Sequence, residues 1–130
     1  MLLLIFLVLL LLLVQVFMPG YFLTLQVGPE GQMGPRDNLP EPSVQLGRSR
    51  RALANLQETL PVFLALAILS IVLGEEGWVV LAGAALYLLG RMAHVVAYMA
   101  GLSPWRSICF TVALAGLLVM ALPLAPHIWS

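Results

Sequence analysis

Arg51, Asn55 and Glu58 are spaced i, i+4, i+7, so on a helix they share one face. Arg91, His94 and Tyr98 stand at i, i+3, i+7 and share a face of a second helix. Arg106 opens a third apolar stretch, with Ser107 beside it. An anion bearing several carboxylates would find arginines, an asparagine and a tyrosine in such a constellation, and guanidinium and carboxylate groups pair in two-pronged contacts. Plainer readings stand beside this one. Arg51 and Glu58 could form a structural ion pair that fixes helix packing. His94 and Tyr98 could make ordinary interhelical hydrogen bonds, and Arg36, Arg48 and Arg50 read as anchors holding a helix end among headgroups.

The elements that must position these residues are membrane spans. Of 130 residues, 62% are hydrophobic and 9% charged, against about 45–50% and about 25% in a soluble domain. That is material for roughly four spans of ~20 residues each. Six basic and six acidic residues cancel, which excludes a nucleic-acid binder working through a basic patch. The composition also excludes a disordered chain and a disulfide-stapled scaffold, because Cys109 is alone. Cys109 itself reads as a small apolar core residue.

The first span is expected over about 2–26, as a retained helix kinked at Pro19-Gly20, since no basic n-region or cleavage site marks a signal peptide. Glycines and prolines from Gly28 to Ser43 predict an extramembrane loop over 28–43. The remaining spans are expected at about 44–73, 78–100 and 105–124. They are joined by the acidic turn at Glu75-Glu76 and by a tight turn at 101–104. Arg36, Arg48, Arg50, Arg51 and Arg106 flank the first loop and the last turn, so the positive-inside rule puts both termini outside. An isolated Arg or Glu at membrane depth costs at least about 2.5–3.5 kcal/mol and therefore faces a bundle interior or a wet cavity. The polar faces thus predict a cleft near the inner membrane surface.

The segment from Arg51 to Pro61, RALANLQETLP, resembles the signature of the membrane-associated proteins in eicosanoid and glutathione metabolism, the MAPEG family. The block RMAHVVAY from Arg91 to Tyr98, followed by PWRS from Pro104 to Ser107, is similar to the prostaglandin E synthase branch. The short chain and its Gly/Pro-rich loop are similar to bacterial members. The resemblance implies an all-α four-helix membrane bundle assembling as a homotrimer in a bacterial inner membrane, with glutathione bound between subunits near the cytoplasmic face. It implies that Arg51, Asn55, Glu58, Arg91, His94 and Tyr98 bind glutathione, while Arg106 stabilises its thiolate and Ser107 assists.

A free thiol titrates near ~8.5, so a fixed cation raises its reactive fraction. An arginine stays protonated while doing so, and a helix start favours the same anion. Two positions depart from the family pattern. Gln26-Val27-Gly28 stand where synthases carry an arginine, and Phe110 stands where the prostaglandin enzyme has a tyrosine. The implied activity is thiol conjugation, peroxide reduction or isomerisation of a lipophilic substrate arriving from membrane lipid. The alternatives are a four-span proton-coupled transporter using Glu58, and a catalytically silent binding or scaffold protein of the same fold.

Overall fold

A run of leucine and valine side chains carries nothing that competes with the backbone for hydrogen bonds, and it coils into the longest helix, α1 (Leu2–Met33). In the computed structural model, which describes residues 1–130, three more helices follow: α2 (Val44–Val72), α3 (Trp78–Met99) and α4 (Trp105–Ala121). A 3₁₀ turn, Ala125–Ile128, closes the chain. Three helices, α1 to α3, are long and apolar enough to cross a membrane. The 17 residues of α4 lie at the short end of the ~17–25 needed. The protein is an all-α, integral membrane four-helix bundle.

The helix passes Pro19-Gly20 without leaving helical dihedrals, and the only break lies at Gly28, with φ 79° and ψ 167°. A side chain disfavours that left-handed φ, whereas glycine adopts it readily. Pro29 then starts a further helical stretch with its φ already set, as proline does at a first helical position. This stretch turns back, bringing Gln32 Nε2 to 3.5 Å from where a Cβ would stand on Gly20. The expected loop from residue 28 is therefore corrected: α1 breaks at Gly28, and residues 29–33 form a helical hook.

Gln26 ties the end of the connecting loop to α1. Its Nε2 donates to Glu41 O at 2.6 Å, and its Oε1 accepts from Ser43 N at 3.1 Å. Ser43 caps α2, its Oγ accepting from Leu46 N at 3.1 Å.

At one end of the bundle the Met1 amino group lies 3.3 Å from Glu76 and His127 Nε2 lies 3.0 Å from Glu75. At the other end Arg48 Nη1 donates to Met99 O at 3.2 Å, joining the start of α2 to the end of α3. All six arginines lie in the half toward that second end. The opposite half is an apolar core in which Val8, Phe63, Val80, Ala84 and Met120 are fully buried. Phe63 stacks on Tyr87 with ring centroids 4.7 Å apart and planes 13° from parallel. Helices α3 and α4 approach closely at Gly83 and Gly116. A Cβ on Gly83 would stand 2.7 Å from Gly116 O, and one on Gly116 would stand 2.6 Å from Gly83 O. Helices surrounded by lipid gain little from apolar burial alone, so small residues that let backbones approach supply much of the cohesion.

Candidate functional site

The apolar core ends at a hydrogen bond. Thr59 Oγ1 and Tyr87 OH are 3.0 Å apart, with both residues buried. One helical turn toward the arginine-rich end, Arg91 Nη1 donates to Asn55 Oδ1 at 2.7 Å. Arg91 is completely buried, yet its Nε and Nη2 have no partner, and neither does Nδ1 of the buried His94. Buried donors are nearly always satisfied, because leaving one unpaired costs about 1–3 kcal/mol. These three nitrogens lie together on α3; the amide of the buried Gln15 on α1 is also without a partner.

Aromatic rings line the way outward. The His94 and Tyr98 rings lie 5.6 Å apart, and Phe110 is 6.4 Å from His94. The Arg106 guanidinium sits 4.9 Å over the Tyr98 ring, with that of Arg51 at 6.0 Å. Two cavities meet at this pair. One, of about 180 Å³, is bounded by Arg48, Arg51, Tyr98, the 101–103 turn and Arg106. The other, of about 330 Å³, is bounded by Asn55, His94, Tyr98, Arg106, Ser107, Phe110 and Thr111. No carboxylate lines either cavity, and no arginine of the chain forms a salt bridge. Converging guanidiniums with no internal counter-ion attract a small anion, most strongly where apolar walls focus their field.

Of the residues singled out by spacing, Asn55, Arg91, His94, Tyr98, Arg106 and Ser107 come together here, with Arg51 at the outer cavity. Glu58 does not join them. It is exposed on α2, lines neither cavity and forms no ion pair with Arg51. The intramembrane Arg51–Glu58 pair is thus absent within the chain, and the cross-helix partner of the second span is Asn55.

Arg48 was expected only as a surface anchor. It lines the outer cavity and covers a carbonyl at the end of α3, an interaction that also suits the negative end of that helix. Its spacing of i−3 from Arg51 already placed it on the same face. The hydroxyl missing at Phe110 leaves an apolar wall in the inner cavity. Gln26, standing where an arginine was expected, is occupied by the backbone of Glu41 and Ser43. Cys109 is a half-buried free thiol that lines neither cavity.

The fold and site together define a four-helix integral membrane protein with a cationic, partly buried pocket at one end of the bundle. The sequence model of the MAPEG family matches residues 1–125, nearly the whole chain, and the chain belongs to that family. No curated protein matches it.

Proposed function

We propose that this protein is a glutathione-dependent membrane enzyme that activates the glutathione thiol for attack on a lipophilic substrate. The observation that carries the reading is Arg106. It stands in the first turn of α4, lies 4.9 Å over Tyr98, borders both cavities and has no carboxylate partner.

The donor set fits glutathione, a small anion with two carboxylates and a thiol. Arg48 and Arg51 offer guanidiniums to carboxylates at the outer cavity. Arg91, by donating to Asn55 Oδ1, fixes the side-chain amide so that its Nδ2 is left to donate to a ligand. The orphaned Nε and Nη2 of Arg91 are buried donors beside it, and Nδ1 of His94 donates or accepts according to its tautomer. Bound glutathione supplies the nucleophilic sulfur. Arg106 favours the thiolate through its fixed charge, reinforced by the positive end of α4. The Ser107 hydroxyl, on the inner cavity, donates a further hydrogen bond to that anion.

Exposed Arg51 and Glu58 leave one face of α2 open, which suits a homotrimer in which a neighbouring copy completes the site. Glu58 then meets the glutathione amino group from the rim. The arginine-rich end faces the cytoplasm of a bacterial inner membrane and both termini face outward, following the positive-inside rule. The apolar co-substrate reaches the sulfur from the bilayer.

Adding glutathione to the purified oligomer at neutral pH should produce thiolate absorbance that disappears in Arg106→Ala. An unchanged spectrum on adding glutathione, or an identical signal from the variant, would refute the reading.

A further inference from the structure

A third cavity, of about 440 Å³, lies between α1, its hook and α2. It faces away from the site described above. Arg50, Leu53, Ala54 and Gln57, at i, i+3, i+4 and i+7, form their own stripe on α2, separate from the Arg48–Arg51–Asn55 stripe. Its polar rim is Arg36 and Gln32 from the hook region with Arg50 and Gln57 from α2, and its inner wall includes Phe17 and Leu53. No acidic residue lines it, and neither arginine has an ion-pair partner. Arg36 is held in place: its backbone adopts φ 64°, uncommon for a residue with a side chain, and its Nε donates to Gln32 O at 2.8 Å. That bond occupies Nε and leaves the Nη groups of the guanidinium to donate elsewhere. Phe17 also borders a wholly apolar groove of about 580 Å³ that runs along α1 from Leu10 to Phe22.

A cationic rim at the arginine-rich end, sharing Phe17 with an apolar groove along a spanning helix, has the two-part chemistry of an anionic amphiphile. We propose that this pocket binds an anionic membrane phospholipid. Its phosphate lies between Arg36 and Arg50, and an acyl chain lies along the α1 groove past Phe17. Basic pockets between helices at the cytoplasmic side of a membrane recognise anionic headgroups in this way. A zwitterionic lipid carries a cation that the two arginines repel, and inorganic phosphate lacks the chain that the groove would hold. The break at Gly28 acquires a role, because the hook it creates carries Gln32 and positions Arg36 at the rim. The proposal does not depend on glutathione binding at the other site.

Native mass spectrometry of the delipidated oligomer in detergent tests it. Phosphatidylglycerol, phosphatidylethanolamine with the same acyl chains, and inorganic phosphate are titrated separately. Phosphatidylglycerol should be retained preferentially, and its retention should fall with added salt. At about fivefold per basic side chain near an anionic headgroup, Arg36→Gln with Arg50→Gln should weaken it roughly 30-fold, while the charge-preserving Arg36→Lys with Arg50→Lys retains the preference. If the neutral variant does not fold, a photoreactive phosphatidylglycerol on the wild-type protein decides, with labelling expected within residues 10–22 and 50–57. Equal retention of the two lipids, phosphate binding as tightly as phosphatidylglycerol, retention only after the oligomer dissociates, or labelling confined to other helices would each overturn the proposal.

Discussion

The two halves of the bundle solve opposite problems. Toward the Glu75-Glu76 end, Val8, Phe63, Val80 and Met120 are fully buried, α3 and α4 touch backbone to backbone at Gly83 and Gly116, and Phe63 stacks on Tyr87. Toward the arginine end, Arg91 and His94 are equally buried but keep three nitrogens without partners, and Arg48, Arg51 and Arg106 line two cavities that hold no carboxylate. The Thr59–Tyr87 hydrogen bond is the seam between them. The first half is complete as it stands. The second leaves buried nitrogens and guanidiniums without partners, and that difference separates what holds the bundle together from the proposed site.

The comparison can be broken first on the apolar side. Gly83→Leu drives a side chain into the Gly116 carbonyl, which is backbone and cannot rotate away. Its cost should exceed the ~1–3 kcal/mol of ordinary overpacking, seen as loss of monodisperse oligomer on size-exclusion chromatography. The polar half should behave in the opposite way. Arg106→Ala, at an exposed residue, should leave thermal stability within ~0.5 kcal/mol of wild type. Turnover of a glutathione-dependent reaction should fall by about 10²–10³, the loss expected when one preorganised electrostatic donor is removed.

A sharper test converts one half into the other. Arg91→Met with Asn55→Leu replaces a buried polar pair by apolar groups, an exchange that is often neutral or stabilising by about 1–4 kcal/mol. Thermal unfolding should show a bundle at least as stable as wild type, with glutathione-dependent turnover lost. A strongly destabilised double variant would mean that the polar interior serves packing. The smallest effect belongs to the seam. Tyr87→Phe removes one interhelical hydrogen bond, should cost about 0.6 kcal/mol in thermal unfolding, and should leave turnover unchanged.

Hydropathy made the four helices legible, because each span is a long apolar run bounded by Gly, Pro or charge. The hook was not legible in the same way, since Gly28, Pro29, Gly31 and Gly34 together read as a loop. The informative detail was the order glycine then proline, which places a reversal before a helix start.

In the site, spacing put the right residues on shared faces, but a face is a direction and not a contact. Whether Asn55, Arg51 or Glu58 meets Arg91 depends on how α2 is rotated about its axis. That rotation is set by the buried stripe of Ala52, Leu56, Thr59 and Phe63, which lies beside Asn55 and away from Glu58. Asn55 turns inward, Glu58 outward, and Arg48 joins the cavity through the end of α3.

The central claim, that the arginine half is an anion site completed by glutathione, is tested most directly by an experimentally determined structure of the oligomer with saturating glutathione. The account predicts ligand density bounded by Arg51, Asn55, Tyr98 and Arg106, with its sulfur toward Arg106. No density there at saturation, or glutathione bound away from these residues, would contradict it.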